Sequence, residues 1–316
     1  MATKISKNPL SLITLIGIMI LSACQPKATA TSEAPAPGPS ANLTQEQTLT
    51  IGVVSDDPAG TIEGFQPLMD YLAEQLGDLG IEKGSVVVTP DFDTMNEKLK
   101  SGEVDLFYET AYGALDAYEN AGAIPLLRGW RKEIGEYHST IFVRKDSGIT
   151  SIDDLRGKFI AFAEPDSTSG YFLPKAFLIS SGLSLSEQSA TSAVPSGEVG
   201  YIITGSDENE VSFVLLGKAI GGGIEHDVFD DLKQEDKDQL TVLAQTQDLP
   251  RSLLMASPKM AQPLRERIIS TLKEASQSDE GKAALKGAKK TTQFDDFPLG
   301  ADATMKFIQD LFALLK

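Results

Sequence analysis

Phe159-Ile160-Ala161-Phe162-Ala163-Glu164-Pro165-Asp166-Ser167-Thr168-Ser169-Gly170-Tyr171 is the stretch on which the reading of this chain turns. Phe159 to Phe162 reads as a strand, and Tyr171 to Ser180 reads as a helix closed by Gly182. Between them lie three consecutive hydroxyl residues, and Gly170 admits a close backbone approach where the helix exposes its unpaired first amides. Such a junction offers backbone N–H groups, hydroxyls and the positive end of a helix dipole to an oxyanion. Ser, Thr and Asp are equally the ordinary N-cap residues of any helix, so local composition leaves plain capping open.

The same strand-then-helix rhythm extends outward in both directions. Before the junction, strands are expected at Leu49–Val54, Val86–Val88, Val104–Tyr108 and Tyr137–Val143, and helices at Gly64–Leu76, Thr94–Lys100 and Ala111–Ala121. Asp146-Ser147-Gly148 is a polar break suited to a crossover, after which Ile152–Leu155 forms a helical turn. Beyond the junction, strands are expected at Ser192–Val194, Ala219–Ile224, Leu240–Ala244 and Leu253–Ala256. Helices are expected at Glu210–Leu216, Pro263–Ala275, Gly281–Leu285 and Thr304–Leu315. Alternating β and α segments imply mostly parallel sheets covered by helices. The chain has 316 residues, too many for one small core, so two lobes are expected around a cleft, 48–144 with 246–316 and 145–245.

Upstream of this body the sequence is an address and a tether. Lys4 and Lys7 precede the apolar run Leu10 to Leu21, which is too short to cross a bilayer, a task needing about 20 residues. Leu21-Ser22-Ala23-Cys24 follows, and small residues before the only cysteine resemble the lipobox of bacterial lipoproteins. The expectation is a leader over 1–23, acylation of Cys24, and a Pro/Ala/Ser/Thr tether over 24–47 that forms no core. An ordinary signal peptide cleaved near Ala23 is the alternative.

Composition narrows the function. Twenty-eight basic against 45 acidic side chains give a net charge of −17, or −19 once Lys4 and Lys7 are removed with the leader. No excess of Lys and Arg is present to neutralise nucleic-acid phosphates. One cysteine and two histidines exclude an internal disulfide and leave too little for a thiolate and imidazole zinc site, so no metal or cofactor is expected.

Several segments, taken in order, resemble the PhnD-like family of phosphate, phosphite and phosphonate substrate-binding proteins of ABC importers. They are Gly64-Phe65-Gln66-Pro67-Leu68 with Tyr71-Leu72, Ser101-Gly102-Glu103-Val104-Asp105-Leu106, Tyr137-His138-Ser139, and Val143-Arg144-Lys145-Asp146-Ser147. Asp153, Leu155, Gly157 and Lys158, then Ser167-Thr168-Ser169-Gly170-Tyr171, and finally Asp279-Glu280-Gly281 complete the set. The resemblance implies an α/β, type II periplasmic-binding-protein-like fold, two lobes joined by two crossover strands with ligand held between them. It also implies a non-enzymatic receptor outside the cytoplasm, expected to be monomeric, with a small oxyanion and a permease as partners.

Carried over residue by residue, Ser167, Thr168, Ser169 and Gly170 match the oxyanion cradle of the second lobe, and Tyr108 matches the aromatic position that closes over the ligand from the first. Asn209 stands where the family usually carries a histidine, and Ile220 where it carries an acid. Asn209 donates a hydrogen bond but supplies no charge. Glu109 either faces the ligand or caps the helix that follows it, and Glu225 has a similar double reading. His138 reads as a structural histidine or a ligand contact, while His226 and the acidic run Asp230 to Asp238 read as surface. Tyr112, Phe65 and Trp130 read as core or rim. Two alternatives stand beside phosphonate, phosphite or phosphate binding. One is the same fold holding another small anion or a zwitterion. The other is a serine hydrolase, for which Ser167 and Ser169 lack a Gly-x-Ser-x-Gly elbow and an evident His/Asp partnership.

Overall fold

The computed structural model describes residues 47–189 and 193–315. The expected leader, Cys24 and all of the tether up to residue 46 lie outside these residues. So does Ser192, the start of an expected strand whose remaining residues, Ala193 and Val194, are not in a strand.

The chain begins with β1 (Gln47–Val54), α1 (Pro58–Gln75), β2 (Ile81–Thr89), α2 (Phe92–Ser101), β3 (Leu106–Glu109), α3 (Ala111–Ala121), β4 (Ile124–Arg131) and β5 (Glu136–Tyr137). It then passes through β6 (Ser139–Arg144), β7 (Phe159–Phe162), α4 (Leu173–Ser180), β8 (Ser184–Glu187), β9 (Glu198–Ile203) and α5 (Asp207–Leu215). Next come β10 (Gly221–Glu225), α6 (His226–Asp230), α7 (Gln234–Lys237) and β11 (Leu240–Gln245). It returns through β12 (Leu249–Pro250), β13 (Ser252–Ala256), α8 (Gln262–Ala275), α9 (Asp279–Gly287), β14 (Thr291–Asp295) and α10 (Ala301–Ala313).

These strands form two six-stranded sheets, ordered β14-β4-β13-β3-β1-β2 and β11-β6-β10-β7-β9-β8, with β12 paired to β5 where the chain crosses between them. The sheets are mixed and not mostly parallel. β2, β1 and β3 run parallel, as do β8, β9, β7 and β10. β13 and β6 run antiparallel to their neighbours β3 and β10. The reason is topological: both strands enter their sheets from the crossing, which lies at the carboxyl ends of the parallel strands. Ser139–Arg144, placed on the first-lobe side of the expected boundary at 144/145, is therefore a strand of the second sheet. The apolar run Tyr137 to Val143 is buried on both sides of the crossing apart from half-buried His138, so no change of composition marks the passage.

Local signals explain where several elements start. Asp57 caps α1 by accepting the Gly60 N–H at 3.1 Å, and Pro58 occupies the first turn, which starts the helix well before Gly64. Phe65, Leu68, Met69 and Leu72 give it one buried face. α10 spans the two sheets' territories, since its Phe312 ring lies 3.7 Å from Phe172 of the second and 5.5 Å from Tyr112 of the first. Among the described residues no helix is long and apolar enough to cross a membrane.

Tyr108 belongs to the core of the first sheet. On β3 it shares a face with Leu106, its ring meets Phe65 at 6.2 Å and Phe294 at 5.4 Å edge to face, and its hydroxyl bonds Thr291 Oγ1 at 3.0 Å. Gly129 on β4 leaves the space that the Tyr108 hydroxyl and ring edge fill. Gly129→Ala is expected to cost about 1–3 kcal/mol by overpacking. Denaturant melts check this, and in a double-mutant cycle Tyr108→Phe should recover part of the loss, because the hydroxyl is one of the overlapping atoms.

Candidate functional site

The two crossing segments satisfy one another. The Ser139 N–H donates to Thr246 Oγ1 at 3.0 Å, the Thr246 N–H donates to the Ser139 carbonyl at 3.0 Å, and the Arg251 N–H donates to the Gly135 carbonyl at 2.8 Å. Here the carboxyl ends of the central strands of both sheets meet, the place where open α/β sheets hold ligands.

The Ser167–Gly170 junction lies at this meeting point. β7 ends at Phe162, and the chain closes a loop in which the Ala163 N–H donates to the Gly170 carbonyl at 2.9 Å. A π-type turn over Thr168–Phe172 then leads into α4, so the helical backbone starts earlier than Tyr171 and Gly170 lies inside its first turn. Ser167 Oγ accepts the Gly170 N–H at 3.0 Å, which is the capping role that composition left open. Gly170 must be glycine: a Cβ would sit 2.6 Å from the Ala163 Cβ and 2.8 Å from Asp207 Oδ1. The Ser169 carbonyl accepts the Ser139 hydroxyl at 2.7 Å, which ties the loop to the crossing. Thr168, buried, reaches to the other sheet. Its Oγ1 accepts the Tyr112 N–H at 3.0 Å and donates to Thr110 Oγ1 at 3.0 Å, at the amino end of α3. The Tyr137 hydroxyl sits beside it.

Other expected site residues fall elsewhere. Tyr108 faces the core described above. Glu109, 8% exposed, accepts the N–H of Thr110, the N-cap of α3, at 2.8 Å and pairs with Lys289 Nζ at 2.8 Å, so it is removed from solvent beside the start of that helix. Lys289 in turn lines a cavity of about 310 Å³ with Ser55, Asp57, Thr61 and Gly64, beyond the end of β1. Asn209 is exposed and its amide donates to the Thr204 carbonyl at 2.9 Å, away from the cradle. The reason is the start of α5. Ser206 is its N-cap, Asp207 its first residue, and Asp207 is the side chain that meets Gly170.

Asp207 was missed because the helix was expected to start at Glu210. Burial, reinforced by Glu164 and Glu208, pushes its carboxyl up to about 6. Glu210, fully buried, is raised well above the carboxylate range by burial and by Asp207. One of its oxygens accepts the Gly223 N–H and the other has no partner among the described residues. Gly222 leaves the room its carboxyl fills.

A second cluster surrounds Arg251, on the segment that returns to the first sheet. It is 2% exposed, its guanidinium lies 4.4 Å from the Tyr137 ring centroid, and its Nη2 pairs with Glu225 Oε1 at 2.6 Å. Burial and the adjacent Asp227 carboxyl push Glu225 up to about 8, against the pull of Arg251. Beside it His138 bonds Asp248 at 2.9 Å through Nδ1, and its ring stacks on His226 at 4.5 Å and 18°. The chain's two histidines thus pack together at the crossing, and His226 is half-buried and not a free surface residue. Ile220, at the position where the family carries an acid, packs against the core of the second sheet. Among the described residues no group of three or more His, Cys, Asp or Glu is arranged to hold a metal ion.

Residues 51–297 match the family model described as ABC transporter, phosphonate, periplasmic substrate-binding protein. The phosphate-import protein PhnD of Mycolicibacterium smegmatis is 25% identical over 181 residues, 56% of this chain and 54% of that protein, so the match spans about half of the curated relative. XAC2383 from Xanthomonas citri bound to chloride ion superposes with a TM-score of 0.78 at 29% identity, over 85% of this chain and 98% of that one. The same protein bound to ATP gives 0.76 at 28%, over 85% and 99%. PhnD1 from Prochlorococcus marinus in complex with methylphosphonate, 16% identical over 86% and 99% of the chains with a TM-score of 0.58, shares the fold.

Asp207 gives the site a measurable signature. Its folded-state pKa is raised to about 6, so the stability of the neutral form is fully present below the ordinary carboxyl pKa and is lost as pH rises through about 6. Asp207→Asn is expected to stabilise the protein by about 1–3 kcal/mol at pH near 8 and to change nothing near pH 3. Melts at the two pH values check this, and an equal gain at both would remove ionisation as the cause.

Proposed function

Because this chain belongs to the periplasmic substrate-binding proteins of phosphonate ABC transporters, we propose that it is the extracytoplasmic receptor of an importer, binding phosphonate, phosphite or phosphate between its two sheets and delivering it to a permease. The observation that carries this reading is the reach of Thr168 to the amino end of α3. The Ser167–Gly170 loop of one sheet and the first-turn amides of a helix on the other meet at one point, and both are built from donors that suit an oxyanion. An oxyanion oxygen takes the acceptor role that Thr168 Oγ1 plays toward Tyr112. XAC2383, related at 28–29% identity, has been seen with anions of very different size, chloride and ATP.

No bond in the ligand needs to change. Binding shifts the population between arrangements of two bodies joined at paired crossings, and the permease recognises the closed one. The protein acts as a monomer, held to the outer face of the membrane by a lipid on Cys24 through the tether. Asp207 favours a second reading of the ligand, a zwitterion or another small anion. A carboxyl beside the cradle accepts a hydrogen bond from a protonated oxyanion or pairs with an amine.

Calorimetric titration with phosphate, phosphite, methylphosphonate, 2-aminoethylphosphonate and ATP tests the ligand class. Binding of at least one tighter than millimolar is expected, and Thr168→Val should weaken it roughly tenfold or more by deleting a hydroxyl at the junction. No binding in the whole panel would reject the ligand and leave the fold untouched. Cys24→Ser is expected to move the protein from the membrane fraction to the soluble fraction of cells; retention in the membrane would reject the anchor.

A further inference from the structure

A groove of about 630 Å³ lies away from the junction, lined by Lys132 and Glu133 past the end of β4, Lys282 and Lys286 of α9, Lys290, and the start of β14. β4 runs parallel to β3, since both pair antiparallel with β13, so the groove opens at the same end of the first sheet as the Thr168 junction but out at the edge strand β14. We infer that it is a second anion site, one that takes a bare chain of at least three linked phosphates. None of its lining residues belongs to the junction, so it stands independently of the function proposed above.

Four lysines and one acid line this groove, in a chain whose acidic side chains outnumber its basic ones by 17. Among the described residues the side chains of Lys282, Lys286 and Lys290 make no ion pair or hydrogen bond, and Lys132 has only exposed Asp231, at 3.7 Å. Lys282 and Lys286 stand four residues apart on α9, a spacing at which like charges oppose one another. An anion seated among the four ammonium groups turns that repulsion into attraction.

The backbone gathers these lysines in an uncommon conformation. Among the described residues, Lys132, Glu133, Lys289 and Lys290 are the non-glycine positions in the left-handed region, with φ between 49° and 65°. Both turns border the groove, and they are pinned to each other. The Lys132 N–H donates to the Lys290 carbonyl at 3.3 Å, and the Glu133 N–H donates to Thr292 Oγ1 at 3.4 Å. Glycine takes such backbone freely, so lysine at 132 and 290 is accounted for by what the side chain binds and not by the turn.

The lining also selects the class of anion. Lysine is a point charge without a planar fork, so the number and closeness of the charges decide the partner more than its shape does. The groove has an excess of three positive charges. A single phosphate, with about two negative charges near pH 8, balances only part of it. An extended acidic peptide brings a carboxylate to one face only about every 7 Å, whereas linked phosphates carry charge on every unit of an unbroken chain. No aromatic side chain lines the groove to stack a base, so the chain it suits is bare and not part of a nucleotide.

Calorimetric titration of the full chain with tripolyphosphate at low ionic strength, with excess methylphosphonate present to fill the cleft, tests this. Binding at least about tenfold tighter than that of orthophosphate is expected, and it should weaken as salt is added. Lys286→Ala with Lys290→Gly is expected to weaken tripolyphosphate roughly tenfold. This variant should melt no lower than the wild-type chain, since alanine removes a like-charged neighbour of Lys282 and glycine relieves a left-handed turn. No binding of tripolyphosphate, its displacement by methylphosphonate, or an unchanged affinity in the double variant would overturn the inference. So would tighter binding of ATP, which would assign the groove to a nucleotide. Hexaglutamate or phosphatidylglycerol vesicles binding as tightly as tripolyphosphate would likewise replace the phosphate chain by an acidic protein segment or a membrane. Failure of methylphosphonate and of the earlier panel to bind would reject the proposed function and leave this comparison of wild-type and variant chains decisive for the groove.

Discussion

Wherever the chain leaves one sheet for the other, its backbone groups lose the ladder that satisfied them, and this protein makes that passage twice at the same place. The solution is mutual: Ser139 and Thr246 exchange hydrogen bonds, β5 pairs with β12, and Gly135 accepts from Arg251. Much else follows from bringing the passages together. Strands that enter from the crossing run against the parallel strands, so both sheets become mixed. The carboxyl ends of the central strands converge there, and the Ser139 hydroxyl holds the Ser169 carbonyl of the cradle loop. A hinge that is hydrogen-bonded to itself also limits motion to bending about one line, the behaviour expected of two-lobed receptors.

The electrostatics of the junction are short-ranged by necessity. At a net charge of −17 the protein as a whole repels anions, so attraction has to come from groups within hydrogen-bond reach in a desolvated setting. Burial serves this in two ways. It strengthens dipoles and donors at the cradle, and it raises the carboxyls of Asp207, Glu210 and Glu225 above the ordinary carboxylate range. Carboxyls that look hostile to an oxyanion in the sequence hold their protons to higher pH in the folded protein than in water.

Much of the fold was legible because its signals are local. α3, β7 and the turn at Ile152–Leu155 run between the expected residues, each bounded by a Gly, a polar break or a change of period. β4 and β14 were missed, since β4 carries Pro125, Arg128, Gly129 and Arg131 and owes its form to pairing with β13 and β14 and not to propensity. The acidic run near Asp230 concealed α6 and α7, whose few turns are set by their neighbours. Within the site, the loop Ser167–Gly170 was visible because its residue types are those of a helix start. Asp207 was hidden by an error in where α5 begins, and a three-residue shift along a helix start replaces one side chain facing the cradle by another. Arg251 had no signal in the sequence beyond its position after Pro250, because its importance comes from Tyr137 and Glu225, far away in the chain.

The fully buried carboxyl of Glu210 fits only because the residue beneath it on β10 has no side chain, and Gly222 has none because that carboxyl is there. Neither position is free to drift alone. An alanine at 222 drives the carboxyl out of its slot, and an alanine at 210 opens a hole beneath a strand that has three glycines in succession. The two positions, twelve residues apart, form a single unit of inheritance: chains descended from this one will keep both or exchange both, for instance a shorter apolar residue at 210 with alanine at 222. Gly222, the middle glycine of β10, is thereby a record of the acid above it and not a loosening of the strand.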